Sequence, residues 1–135
     1  MSTKIFVNLP VKDLARSIEF FTSMDYAFNP KFTDEKAGCL VISDSIFAML
    51  LTEPFFKSFS EKEIPDTSAT AQTILALGVD SRAEVDALVD KAVAAGAVEP
   101  REATEQGGFM YGRTFADLDG HLWEVIWMDP AVAQD

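Results

Sequence analysis

The chain has 135 residues, 48% of them hydrophobic, and 22 acidic against 11 basic side chains give a net charge of −11. That length suits one globular domain, able to bury roughly two-thirds of its unfolded surface without disulfides or a structural metal. The charge argues against a nucleic-acid partner, because the field repels phosphates, and it favours cations.

Cys39 is the only cysteine, so an internal disulfide and C-x-x-C chemistry are excluded. Within the run GCLVISD it reads as a buried thiol rather than a nucleophile. The opening MSTKIFVNLP lacks an apolar stretch of signal-peptide length. No window approaches the roughly 20 apolar residues of a membrane span. These features predict a cytoplasmic protein with no membrane partner.

In chain order, KIFVNLPV (4–11) predicts a strand, and Asp13 caps a helix over LARSIEFFTS, where Leu14, Ile18 and Phe21 share one face. MDYAFNPKFTD, with Pro30, predicts an edge strand. AGCLVIS and IFAMLLTE predict a hairpin turning at Asp44-Ser45. PFFKSFSEKEIPDTSA predicts a short helix and then a loop, with Phe55, Phe56 and Phe59 on one face packing into a core rather than forming an exposed patch. TILALGVD predicts a strand, and Ser81 with Glu84 a capping box. RAEVDALVDKAVAA predicts a helix burying Val85, Leu88, Val89, Ala92 and Val93, with Gly96 just past its end. AVEPREAT, GFMYGRTFAD and HLWEVIWMD predict three strands, joined through Gln106-Gly107-Gly108 and Leu118-Asp119-Gly120.

Strand–helix–three strands thus occurs twice. FVNLPVKDL (6–14) overlays ILALGVDSR (74–82), and AMLLTE (48–53) overlays LWEVIW (122–127). The expected class is α+β: two βαβββ modules forming a curved mixed sheet with outer helices, together enclosing a trough. Module one covers about 1–53, a linker about 54–71 and module two about 72–130 of a single domain over 1–135.

The doubled unit, with V-x-D-L-x-R-S-x-x-F-F (Val11 to Phe21) and F-x-D-x-D-G-H-x-x-E (Phe115 to Glu124), resembles the vicinal oxygen chelate superfamily over the whole chain. That superfamily includes glyoxalase I, ring-cleaving extradiol dioxygenases, fosfomycin-resistance proteins and bleomycin-binding resistance proteins. FVNLPV and FMYGRTF also resemble a glyoxalase-like branch that goes under the name lactoylglutathione lyase. The resemblance implies a homodimer and a trough that, in metal-bearing members, holds a divalent ion. It implies four ligand positions, which the overlay puts on Phe6, Leu50, Ile74 and Glu124.

Only Glu124 offers a donor there, whereas a metal site needs at least three. His121, the only histidine, lies on the opposite strand face from Glu124. No cofactor is therefore expected, and a divalent metal is disfavoured. Three readings of Glu124 stay open: a cross-strand pair with Arg113 or Tyr111, an acid with a raised pKa that binds a cation or moves a proton, or a residual metal ligand. Tyr111 and Arg113, two apart, are candidates for orienting an anionic ligand, and Asn8 for offering it an amide. Asp117 and Asp119 read as a turn, not half a calcium loop. The sequence favours a metal-free binder of a small, cationic molecule. The alternative is a metal-dependent lyase or isomerase of lactoylglutathione lyase type, or a dioxygenase, and a scaffold acting through its phenylalanines ranks last.

Overall fold

The computed structural model describes residues 3–133. The chain divides into two compact units, the first ending at Asp66 and the second beginning at Thr67.

In the first unit, β1 (Ile5–Val11) runs parallel to β4 (Ile46–Thr52), and β3 (Ala37–Val41) and β2 (Ala27–Phe28) add antiparallel in the order β1-β4-β3-β2. The parallel pair requires a crossover, which α1 (Leu14–Ser23) supplies. Asp13 starts that helix by accepting from the Arg16 N–H, as the sequence predicts. Leu14, Phe20 and Phe21 are buried. Gly38 marks the α1-facing side of the sheet, because a Cβ there would press on the Ile18 and Phe28 side chains.

The predicted edge strand over MDYAFNPKFTD shrinks to two residues. Asn29 accepts from the Lys31 N–H, and Pro30 opens a 3-10 turn over Pro30–Phe32, so the chain leaves the sheet. The short helix α2 (Glu53–Lys57) buries none of its residues, and Phe59 is 69% exposed while its ring meets Phe55 edge to face. The expectation of a packed phenylalanine cluster is therefore corrected: five residues of helix are too few to press all three rings inward.

The second unit repeats the topology. β5 (Ile74–Val79) runs parallel to β8 (Leu122–Met128), with β7 (Met110–Ala116) and β6 (Thr104–Gln106) in the order β5-β8-β7-β6. The crossover is α3 (Arg82–Ala94). Ser81 accepts from the Glu84 N–H, but the Glu84 carboxylate reaches back to the Asp80 N–H rather than closing the expected box. Val85, Val89 and Ala92 are buried, Leu88 is half-buried and Val93 exposed, so the buried stripe is narrower than the pattern suggests. AVEPREAT forms a strand only at its end, its earlier part making one bridge from Val98 to Ala116. A short α4 (Pro130–Ala133) follows β8.

Each unit thus carries a four-stranded mixed sheet with its crossover helix on one face, the α+β architecture of two βαβββ modules. Among the described residues no helix is long and apolar enough to cross a membrane.

Candidate ligand site on the second module

Strand β8 sorts its residues onto two faces. Trp123 and Val125 are buried toward α3, while Leu122, Glu124 and Ile126 occupy the other face and are half-buried. Glu124 stands directly opposite Thr114 on β7 and beside Ala76 on β5. Ile74, Ala76 and Gly78 of β5 share this face, as do Gly112 and Ala116 of β7. The neighbours of Glu124 on this face of the sheet are therefore apolar or neutral. Among the described residues the Glu124 side chain makes no hydrogen bond or ion pair.

One of the three readings of Glu124, a cross-strand pair with Arg113 or Tyr111, is overturned. The register places Val125 opposite Arg113 and Trp127 opposite Tyr111, so both lie on the α3 face. There the Arg113 guanidinium grips Glu99 through two hydrogen bonds of 2.8 Å and reaches Asp86 and Asp90 at 3.0 Å each. The Tyr111 hydroxyl donates to Asp86 at 2.6 Å. The hydrogen bond from Tyr111 and then the Arg113 charge hold the Asp86 carboxyl below its ordinary value, and Arg113 does the same for Glu99. The Tyr111 hydroxyl is pushed up, chiefly because Asp86 accepts its proton in a hydrogen bond. These groups bolt α3 and the 98–103 segment onto the sheet. They are not placed to orient a ligand beside Glu124.

The D-x-D-G-H stretch is a turn, built around the buried Asp117. Asp117 accepts from the N–H groups of Asp119 and His121 and from the Trp123 indole, all at 3.0 Å. Burial nonetheless pushes its carboxyl above the ordinary value. Gly120 takes φ +86°, and its α-carbon lies so close to Thr67 and Ser68 that a side chain would collide with their backbone. This turn sets the register that brings Glu124 opposite Thr114.

In the first unit, Phe6 and Asn8 are exposed on the face opposite α1, where Phe6 stacks on Phe47 with centroids 4.8 Å apart. The Asn8 amide is turned onto the Phe6 carbonyl at 3.2 Å. Leu50 is displaced from its predicted role. It pairs with Leu9 and Gly38, faces α1 and is fully buried. Its neighbour Met49, opposite Asn8 and Cys39, stands on the other face. Asn8–Met49 in the first sheet corresponds to Ala76–Glu124 in the second. The overlay therefore runs one residue out of step at β4, which flips the side chain. Burial pushes the Cys39 thiol up, away from nucleophilic use. A cavity of about 290 Å³ in this unit is lined by Lys36, Thr52, Pro54, Phe55 and Ser58, and none of the predicted site residues touches it.

The family model for the Glyoxalase/Bleomycin resistance protein/Dioxygenase superfamily matches residues 5–125. The chain belongs to this superfamily. Solved relatives agree in fold. A hypothetical protein from S. aureus is 29% identical, with a TM-score of 0.77 over 94% of this chain and 95% of that one. A glyoxalase-related enzyme from Fulvimarina pelagi is 20% identical, with a TM-score of 0.77 over 94% and 88%. The fosfomycin resistance protein FosX from Mesorhizobium loti is 14% identical, with a TM-score of 0.69 over 100% and 99%. No curated protein matches the chain.

Of the positions that the resemblance implies for a divalent ion, only Glu124 carries a carboxylate, and none carries an imidazole. Phe6 and Ile74 have no donor atom, Leu50 faces α1, and the thioether of Met49 is a poor ligand for the hard or borderline ions that carboxylates hold. Among the described residues no three of His, Cys, Asp and Glu gather closely enough to hold a metal. Sequence reasoning passed over Thr114 and Met49, although the alternation of β7 and β4 contains the signal for both once the register is known.

Proposed function

We propose that the chain binds a small organic cation against the face of the second sheet opposite α3, using Glu124 as counter-charge and no metal. The observation that supports this reading is the unpartnered Glu124 carboxylate among Ala76, Leu122, Thr114 and Ile126. A carboxylate half-withdrawn from water onto a neutral surface gains from a positively charged ligand, and the overall charge of −11 concentrates such ligands near the protein. The protein acts as a homodimer in this reading, in keeping with its resemblance to small superfamily members.

Thermal-shift titration of the purified protein tests the proposal with benzamidine, benzyltrimethylammonium and benzoate, alongside Ni²⁺, Zn²⁺, Mn²⁺ and Fe²⁺. Protection by the organic cations but not benzoate, lost in Glu124→Gln, is the expected result. One equivalent of a divalent ion, retained through purification and lost in Glu124→Gln, overturns it. That result would favour the metal-dependent lyase, isomerase or dioxygenase reading, in which Glu124 is the surviving ligand.

A further inference from the structure

We infer that Thr114 is a specificity-determining residue of the Glu124 site, selecting cations that bear at least two N–H groups, such as amidinium or guanidinium, over quaternary ammonium. The inference rests on the proposed binding role of Glu124. The buried polar or charged residues among those described are Ser17, Thr114, Asp117 and Asp119. Ser17, Asp117 and Asp119 have bonded partners, while the Thr114 hydroxyl has none among the described residues. Thr114 is 9% exposed, yet its oxygen is not sealed from solvent.

A hydroxyl withdrawn from bulk water without a protein partner costs free energy unless something else bonds it. Thr114 occupies the cross-strand position directly opposite Glu124, where Cβ atoms stand about 4.5–5.5 Å apart. One ligand nitrogen can donate to the carboxylate while a second donates to the hydroxyl oxygen. Hydrophobic neighbours supply no competing acceptor: Leu122 and Ile126 flank Glu124 on its own strand, and Gly112 and Ala116 flank Thr114. A quaternary ammonium would satisfy the charge but leave the hydroxyl unbonded.

Calorimetric titration of the wild type, Thr114→Val, Thr114→Ser and Glu124→Gln with benzamidine and with benzyltrimethylammonium tests this. Loss of one hydrogen bond predicts that Thr114→Val weakens benzamidine roughly five- to tenfold. Benzyltrimethylammonium should change less than about twofold, and Thr114→Ser should restore benzamidine affinity if the hydroxyl is what counts. Equal weakening of both probes by Thr114→Val, or no weakening of either, overturns the role of Thr114 even where Glu124→Gln abolishes binding. Full benzamidine affinity in Glu124→Gln, or no binding of benzamidine to the wild type, overturns the underlying reading as well. If Thr114→Val unfolds, Thr114→Ser and the probe-to-probe ratio of the wild type decide. A wild-type preference for the quaternary ion refutes the inference.

Discussion

Replacing Arg113 with methionine should destabilise the second module without touching the proposed ligand site. The side chain is 14% exposed and meets three carboxylates, of which Glu99 is the best shielded at 27% exposure. Asp86 and Asp90 are 49% and 68% exposed, so their share is screened to near the value of a surface pair, about 0–1 kcal/mol. Breaking a well-buried pair costs about 3–5 kcal/mol. The partly shielded, bidentate Glu99 contact falls below that range, and we expect a total of about 2–3 kcal/mol. A urea titration followed by Trp fluorescence would show it as a lower midpoint with unchanged slope. Acid should reveal the same groups. Asp86 and Glu99 have lowered folded-state values, so their stabilisation is present above the ordinary carboxylate range and lost as pH falls through the lowered values. Arg113→Met should flatten that acid limb. A loss under about 0.5 kcal/mol would refute the reasoning, because it is the size of an ordinary surface change. Loss of benzamidine binding by a folded Arg113→Met protein would refute the face assignment.

Glu124→Gln should leave stability within about 0.5 kcal/mol, since no protein partner is lost, and a urea midpoint measures this. Asp117→Asn keeps an acceptor for the two N–H groups but turns an amide donor toward the Trp123 indole, so it should cost about 1–3 kcal/mol and alter Trp fluorescence. Because burial raises the Asp117 folded-state value, its contribution to stability is fully present below the unfolded value and lost as pH rises through the folded one; Asp117→Asn should remove that limb from the pH–stability curve. Gly120→Ala should cost at least about 1–3 kcal/mol, read by thermal melting, because it adds both a left-handed strain and a collision with Thr67.

The sequence was most legible where a signal is local. Asp13 and Ser81 cap their helices as read, and the stripe around Val85 and Val89 marks the packed face of α3. The doubled topology followed from the repeated order of such elements. Legibility failed where an answer depends on partners remote in the chain. Nothing local shows that Asn29 and Pro30 pull the chain out of the first sheet, or that Glu99 leaves the strand direction to meet Arg113. Leu50 failed for a different reason. IFAMLLT is apolar on both faces, so its composition cannot say which residue looks toward α1, and only the register with Leu9 and Gly38 decides.

The same parity governs the chemistry of the second module. Arg113 and Glu124 lie on adjacent strands one step out of register, close in sequence logic but separated by the thickness of the sheet. Had they shared a face, Glu124 would be half of a structural ion pair and the site would have no charge to offer. Instead Arg113 faces three carboxylates on the α3 side, where it is already outnumbered. It has no positive charge left to lend across the sheet. Compensation of Glu124 therefore falls to water or to a ligand. The turn organised by Asp117 and Gly120 is what fixes that outcome, because moving the hairpin by one residue would exchange the two faces.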